Sequence, residues 1–167
     1  MMLRAKFVAS TFLLAGCVPM APPDVPVSTA NLVSSSGAVL GNVRVFSEPT
    51  GLMLRIDAAG LPPGVHGVHL HAVGRCDPPG FSSAGPHWNP ANRKHGHRNP
   101  EGFHMGDLGN LGVGSDGRLV AGLLVPKATF GALRDADGAA LVIHAKADDE
   151  TTDPSGNSGD RIACAVL

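Results

Sequence analysis

Two histidines of this sequence, His69 and His71, are separated by one residue in a short apolar run. If the run is a strand, side chains two positions apart leave the same face, so both imidazoles can bind one metal ion. Val68 and Leu70 would then point into the core. A His-x-His pair alone is weak evidence, because a polar strand face is the more ordinary explanation. Further candidate ligands follow along the chain: His87, His95, His104, Asp107 and His144.

These side chains are of the types that bind transition metals. Imidazole is a common ligand of copper and zinc, and a set of imidazoles with one carboxylate suits tetrahedral zinc. The six histidines and one aspartate named above are enough for two sites. The sequence therefore predicts a metal centre whose ligands come from one strand, a long irregular segment and the end of a second apolar run, residues 140–143.

The elements that must position these ligands are predicted to be short β-strands. Side-chain character alternates with period two in residues 39–46 and 52–57, and further short candidates are 65–71, 107–113, 118–124, 140–144 and 161–167. No segment has a convincing amphipathic helical pattern. About eight short strands predict an all-β sandwich or closed barrel. Residues 75–106 and 145–160 are long irregular segments, which in a compact domain tend to carry function.

The composition is that of one globular domain. The 167 residues include 22 glycines and 14 prolines, a share that favours turns over long helices, and 43% are apolar. There are 13 Lys+Arg against 14 Asp+Glu, so the formal net charge is −1. This balance excludes a disordered tail and a nucleic-acid binder that works through bulk positive charge. No apolar run reaches the roughly 18–20 residues that a membrane-spanning helix needs.

The first 30 residues are predicted to be an export signal and a tether. Arg4 and Lys6 precede a short apolar run, and Leu14-Ala15-Gly16-Cys17 is similar to the lipobox of bacterial lipoproteins. This similarity predicts removal of residues 1–16 and lipidation of Cys17. Residues 17–30 are proline-rich and predict an extended spacer. The simpler alternatives are an ordinary secretory signal and a disordered terminus. Cleavage would leave 11 basic against 14 acidic residues, a net charge of −3.

Six blocks of the sequence carry a family resemblance. They are Gly64-Val65-His66-Gly67-Val68-His69-Leu70-His71, Ser83-Ala84-Gly85-Pro86-His87-Trp88-Asn89-Pro90, Lys94-His95-Gly96, His104-Met105-Gly106-Asp107-Leu108-Gly109-Asn110, Val142-Ile143-His144 and Gly159-Asp160-Arg161-Ile162-Ala163-Cys164. In this order they resemble the copper/zinc superoxide dismutases, over essentially all of residues 28–167. The resemblance implies an all-β fold with eight antiparallel strands in a Greek-key sandwich or barrel and long metal-binding loops. The domain is expected to span residues 31–167.

The resemblance also implies two neighbouring metal sites. Copper would be bound by His69, His71, His87 and His144. Zinc would be bound by His87, His95, His104 and Asp107, with His87 bridging the two ions as an imidazolate. One superoxide would reduce the copper and leave as dioxygen while His87 takes a proton. A second superoxide would reoxidise the copper and leave as hydrogen peroxide.

The same resemblance implies roles for two charged residues, Asp148 and Arg161. Asp148 would accept hydrogen bonds from His69 and His95 and so connect the two sites. A solvated acid within an acidic run is the alternative interpretation of Asp148. Arg161 would lie beside the copper and attract the superoxide anion, because a guanidinium stays charged at any relevant pH. Its alternative partner is the neighbouring Asp160.

The resemblance also suggests roles for the cysteines and for the two remaining histidines. Cys76 and Cys164 match the intramolecular disulfide of the family, which fits export to an oxidising compartment. Cys17 is then left over, which fits a lipid anchor. His66 is expected to be a structural, hydrogen-bonded histidine, and His97 is expected to be a solvated loop residue.

The loop between His144 and Arg161 departs from the animal members of the family. It is shorter and carries five acidic residues, Asp148, Asp149, Glu150, Asp153 and Asp160, against Lys146. We therefore expect this loop to attract anions only weakly over long distances.

These observations predict an exported, lipid-anchored superoxide dismutase of the periplasm or cell envelope, which protects the envelope from superoxide. The outer membrane is the expected place of the anchor at Cys17. The chain could form a homodimer and is expected to have no nucleic-acid partner. The main alternative is a copper-binding or storage lipoprotein on the same fold with little turnover. A purely structural sandwich module is a third, weaker alternative.

Overall fold

The computed structural model describes residues 24–167. The predicted signal, Cys17 and the first part of the tether lie outside the described residues. The described chain forms eight strands: β1 (Ser28–Ser34), β2 (Val39–Glu48), β3 (Gly51–Ala58), β4 (Gly64–His71), β5 (Asp107–Val113), β6 (Leu119–Pro126), β7 (Ala140–His144) and β8 (Arg161–Val166). A 3-10 turn (Ser82–Ala84) follows β4, and a short helix, α1 (Phe130–Leu133), follows β6. Neither of these is long and apolar enough to cross a membrane.

The eight strands belong to one antiparallel sheet in the order β5-β4-β7-β8-β1-β2-β3-β6. The edge strands β5 and β6 contact each other, so the sheet nearly closes into a barrel. β3 pairs with β6 and β4 pairs with β7, which are the crossed connections of a Greek key. The predicted eight-stranded antiparallel fold is confirmed.

Alternate residues of the strands fill the interior of the barrel. On β3, Leu52, Leu54 and Ile56 are buried in the core, as the period-two pattern predicts. On β4, Val68 and Leu70 belong to the same core. His69 and His71 alternate with these two residues and face outward, so their side chains can bind ligands on the outer surface of the barrel.

A second, smaller apolar cluster covers the outer surface of β7 and β8. It is formed by two residues of β7, one of β8 and two of the loop after β4: Ala140, Val142, Cys164, Phe81 and Ala84. A disulfide joins Cys76 of that loop to Cys164, so the predicted pairing is confirmed. The long loop between β4 and β5 is thereby fixed against the outer side of the barrel.

β1 is not among the strands that the sequence predicts, although residues 28–167 as a whole were expected to be all-β. It starts at Ser28, inside the segment 17–30 that the sequence assigns to the tether. The strand pairs with β2 from Ser28 opposite Val45 and reaches β8 at Val33. Its sequence signal is weak because polar residues occupy most of its first half, and Leu32 is its one fully buried residue.

Removal of the disulfide is expected to destabilise the domain. Replacing both cysteines, Cys76→Ser with Cys164→Ser, should lower the free energy of unfolding by about 4–5 kcal/mol, because the bond closes a segment of 88 residues in the unfolded chain. Urea denaturation in the presence of a metal chelator measures the change. The unaltered chain under reducing conditions is the control and should match the double variant. An unchanged urea midpoint in both samples would contradict this account of the disulfide.

Candidate metal centre

Four buried imidazoles converge on the outer side of β4 and β7. Their ligand atoms lie within 4.8 Å of one another, and the residues are His69, His71, His87 and His144. One ring nitrogen of each has no hydrogen-bond partner among the described residues: Nδ1 of His69 and Nε2 of His71, His87 and His144. A buried polar atom without a partner is costly, so this convergence points to a bound ion. We call these four residues the four-imidazole set.

The opposite nitrogens of three of these rings are fixed by the protein. His69 Nε2 donates to Asp148 Oδ2 at 2.6 Å. His71 Nδ1 donates to the carbonyl of Gly85 at 2.8 Å, and His144 Nδ1 donates to the carbonyl of Gly159 at 3.1 Å. Such hydrogen bonds set both the tautomer and the orientation of a ligating histidine. The ring nitrogens left over are therefore those that point at the common centre.

The Nδ1 atoms of three histidines surround one carboxylate oxygen, Asp107 Oδ1. The distances are 2.9 Å from His87, 3.0 Å from His95 and 3.1 Å from His104. Ligands placed about 2.0–2.1 Å from a tetrahedral zinc ion are separated by about 3.3 Å. The contacts in this group, which we call the carboxylate set, are close to that spacing, as is the 3.4 Å between Nδ1 of His87 and Nδ1 of His104.

His69 also approaches the carboxylate set. A grouping by distance alone joins it with His87, His95 and Asp107 and omits His104. We nevertheless place His104 in this set, because its Nδ1 lies against Asp107. One nitrogen of His69 is held by Asp148, and the other lies in the four-imidazole set. His87 thus presents a different nitrogen to each set.

Main-chain contacts bring the loop histidines to the barrel. His71 and His87 form an isolated antiparallel bridge, and Trp88 N–H donates to the carbonyl of Leu70 at 2.8 Å. Gly106 then closes the loop, because its N–H donates to Trp88 and its carbonyl accepts from Leu70. A Cβ at Gly106 would lie 2.4 Å from the Leu70 carbonyl oxygen, so this close approach requires glycine.

Asp148 connects the two sets of ligands. Its carboxylate accepts from Nε2 of His69 at 2.6 Å and lies 3.1 Å from Nε2 of His95. Asn110 fixes the main chain of Asp148, because the Asn110 side-chain amide donates to the Asp148 carbonyl and accepts from the Asp148 N–H. The residue types around Asn110 do not indicate this role, although Asn110 ends the sequence block that contains His104 and Asp107. The contacts of Asp148 are those the family resemblance implied.

Burial keeps three members of the four-imidazole set, His71, His87 and His144, electrically neutral near pH 7. It lowers the pKa of His71 to about 2, of His144 to about 3 and of His87 to about 4. Neutral imidazole is the form that binds a metal ion. Protons therefore compete little with a metal for these three residues.

The carboxylate set has the opposite electrostatic character. Burial alone would lower the pKa of His95, but the Asp107 and Asp148 carboxylates at its two ring nitrogens raise it to about 9. Burial would raise the pKa of Asp107, but its hydrogen bonds with His87 and His95 hold it well below its usual range. The ionised carboxylates therefore stabilise positive charge in the carboxylate set, either a proton on His95 or a bound cation.

Arg161 lies beside the four-imidazole set. Its guanidinium donates to the carbonyl of Phe81 at 2.7 Å and to the carbonyl of Gly85 at 2.8 Å. The same Gly85 oxygen accepts the hydrogen bond from His71, so the guanidinium and a candidate ligand share one acceptor. Within residues 24–167 Arg161 forms no ion pair with Asp160, which the sequence left open as its partner.

The two remaining histidines of the domain have different surroundings. His66 is buried, with its ring nitrogens 2.8 Å from the His144 carbonyl and 2.9 Å from the Pro62 carbonyl, which agrees with a structural role. His97 is exposed, as expected for a loop residue, but its ring also makes two contacts. Its Nε2 donates to the Asp107 carbonyl at 2.8 Å, and its ring packs on Phe103 with 4.0 Å between centroids. The spacing of residues in the sequence does not predict either of these contacts.

Acidic residues of the loop after β7 serve as hydrogen-bond acceptors. The Asp149 carboxylate accepts from the backbone N–H and hydroxyl of Thr152, and these bonds lower its pKa to about 2. Asp153 accepts from the His95 N–H at 2.7 Å and lies 3.5 Å from the Lys94 ammonium. Asp149 and Asp153 therefore help to hold the folded loop, which accounts for two of its acidic residues.

Comparison with known proteins identifies the family. A model of the family described as copper/zinc superoxide dismutase (SODC) matches residues 39–167. This chain belongs to that family. Superoxide dismutase [Cu-Zn] 1 of Aquifex aeolicus is 39% identical over 144 residues, which cover 83% of this chain and 85% of that protein.

Solved structures agree with this membership. A superoxide dismutase-like protein from Bacillus subtilis has a TM-score of 0.79 and 41% identity, covering 83% of this chain and 97% of that one. The Cu/Zn superoxide dismutase from Brucella abortus has a TM-score of 0.69 and 30% identity, covering 84% of this chain and 98% of that one. Copper and zinc are the metals of the family, and both donor sets fit them: neutral imidazoles suit copper, and three imidazoles with a carboxylate suit zinc.

Zinc affinity is expected to depend on pH more steeply than copper affinity. Below its pKa of about 9, His95 holds a proton that zinc must displace, so zinc affinity should rise about tenfold per pH unit between about pH 7 and pH 9. His71, His87 and His144 lose their protons at lower pH, so copper affinity should change less. Competition with a chromophoric chelator measures both constants. Equal pH slopes for the two metals would contradict the assignment of His95.

The glycine that faces Asp148 is expected to be essential for the metal centre. A Cβ at Gly156 would lie 1.8 Å from Asp148 Oδ1, so Gly156→Ala must displace this carboxylate from His69 and His95. Loss of such support should weaken zinc binding about 10–100-fold. Gly112→Ala is the matched control, because a Cβ there meets nothing within 4 Å. Zinc titration of the two variants should separate them, and equal affinities would contradict the role of Asp148.

Proposed function

We propose that this chain is an enzyme that converts superoxide to dioxygen and hydrogen peroxide. The observation that carries the proposal is the position of His87. Its Nε2 lies in the four-imidazole set without a partner among the described residues, while its Nδ1 lies 2.9 Å from Asp107 Oδ1. One imidazole thus faces both donor sets, as a bridging ligand must.

The two donor sets would hold the two metals of the family. Copper would be held by His69, His71, His87 and His144, and zinc by His87, His95, His104 and Asp107. Copper supplies the electron chemistry because it has two accessible oxidation states, whereas zinc has one and supplies charge and geometry. Asp148 keeps His69 and His95 in their ligating orientations through its two oxygens.

Arg161 would bind and orient the substrate anion. Two carbonyl oxygens fix its guanidinium beside His71, and the group remains charged at neutral pH. Because superoxide carries one negative charge, a fixed cation near the four-imidazole set raises its local concentration and directs it inward. The acidic loop after β7 contributes little to this attraction.

His87 would carry the proton that the reaction needs. Nε2 of His87 is the atom that we propose accepts a proton and releases it when peroxide forms. This nitrogen has no hydrogen-bond partner among the described residues, so a proton can be held there and passed on. Nδ1 of His87 stays directed at the carboxylate set throughout.

The enzyme would act outside the cytoplasm as a lipoprotein of the cell envelope, where it removes superoxide. The disulfide between Cys76 and Cys164 supports this location, because such bonds persist in oxidising compartments. The lipobox-like segment that ends at Cys17 supports a lipid anchor.

A copper-binding or storage lipoprotein is the alternative function. Four imidazoles could hold copper in either protein. Arg161 favours the enzyme, because a fixed guanidinium near the metal ligands helps an anionic substrate but repels a copper ion that is only to be stored.

Direct measurement of superoxide decay tests the proposed activity. The mature chain with Cys17→Ser, loaded with copper and zinc, should accelerate decay followed by ultraviolet absorbance after a pulse of superoxide. The same chain without metals is the control. Decay no faster than in the control would exclude the enzyme and leave the storage function.

Loss of the Arg161 charge is expected to slow the reaction with little effect on metal binding. Arg161→Gln should lower the second-order rate constant about tenfold and weaken its dependence on salt, because the attraction of the anion is reduced. Arg75→Gln is the matched control, since that exposed arginine of the β4–β5 loop pairs with Asp77. Equal rate constants for the two variants would contradict the role of Arg161.

A further inference from the structure

The described chain begins beside β2 and reaches the outer face of β3. Val27 N–H donates to the Val45 carbonyl at 2.7 Å, which continues the pairing of β1 with β2, and the Asp24 carboxylate pairs with the Arg55 guanidinium on the outer face of β3. Arg55 in turn lies over the ring of Phe46, 4.3 Å from its centroid, and Phe46 is only 3% exposed. The segment before β1 therefore lies against this face, and the chain enters the described domain there at Asp24.

The metal centre lies on the opposite side of the barrel. In the sheet order, four strand positions separate β4 from β2 and β7 from β3, which is half-way round an eight-stranded barrel. His69 and His71 project outward from β4, and Arg55 projects outward from β3. The point of chain entry and the metal ligands therefore occupy opposite poles of the domain.

The distance between Cys17 and Asp24 limits how an anchored domain can turn. Seven residue steps separate the two, and an extended chain covers at most about 3.6 Å per residue, so this segment reaches no further than about 25 Å whatever its conformation. A compact domain of this size has a radius of gyration of about 15 Å and a diameter of about 37 Å. Because the domain is wider than the segment is long, its metal-bearing pole cannot point at the surface that holds the anchor.

We propose that the outer face of β2 and β3 lies toward the lipid surface and that the metal centre opens to the solution side. The proposal rests on the proposed lipidation of Cys17. An anionic lipid surface repels superoxide over a Debye length of about 8 Å, so this orientation keeps the substrate's entrance away from the repulsion.

Trp88 can report the orientation, because it is the only tryptophan of the chain and directly follows His87. Its N–H is bonded to Leu70 of β4, which places it at the pole of the metal centre. The mature chain is coupled through Cys17 to a maleimide lipid in vesicles that carry dansyl-labelled headgroups. Energy transfer from Trp88 to dansyl should be weak.

The matched control anchors the same domain from the other pole. A variant with Cys17→Ser and Glu101→Cys is coupled to the same lipid through an exposed position of the loop that carries His95 and His104. Energy transfer should then be several-fold stronger. Equal transfer from the two anchoring positions, or stronger transfer with the Cys17 anchor, would overturn the proposed orientation.

Failure of the orientation and failure of the lipid anchor can be told apart. Chemical coupling fixes the anchor in the vesicle experiment, so its result does not depend on the cell. The mass of the exported chain shows separately whether Cys17 carries a lipid. An exported chain without a lipid would overturn the membrane role, whatever the vesicles show.

Discussion

Each histidine of the metal centre has two ring nitrogens, and the fold must give one of them a partner while it leaves the other for a metal ion. An unpartnered buried nitrogen costs about 1–3 kcal/mol, so the arrangement persists only where the surrounding structure holds the rings in place. For three rings of the four-imidazole set, one carboxylate and two main-chain carbonyls occupy the second nitrogen. His87 is the exception, because neither of its nitrogens is used by the scaffold. Both face ligand sets, which makes it the element on which the two sets depend.

This requirement explains why so much of the protein outside the barrel is ordered. The carbonyls that orient the histidines belong to loops, and a loop can orient a ligand only if it is itself fixed. The disulfide and the small apolar cluster around Phe81 fix the first loop, which also places the carbonyls that hold Arg161. Asn110 fixes the second loop through Asp148, and Gly156 leaves room for that carboxylate. The barrel strands carry His69, His71 and His144, and the loops provide the groups that orient the histidine rings.

The sequence predicts those parts of the molecule that depend on side-chain pattern. Period-two alternation located β2 and β3, short apolar runs indicated five further strands, and the outward placement of His69 and His71 follows from their spacing. β1 escaped prediction because its pairing with β2 and β8, rather than its own apolar residues, makes it a strand. The carbonyls of Gly85 and Gly159 could not be predicted either, because a main-chain acceptor leaves no mark in the residue types. His97 shows the same limit, since its partner is the carbonyl of Asp107.

We propose that one imidazole, that of His87, serves two different metal ions. Anomalous X-ray diffraction from crystals of the chain loaded with copper and zinc, recorded at the absorption edges of both metals, tests it directly. We expect one copper peak at ligand distance from Nε2 of His87 and one zinc peak at ligand distance from Nδ1 of the same ring. A single metal peak, or two peaks of which only one contacts His87, would contradict the account.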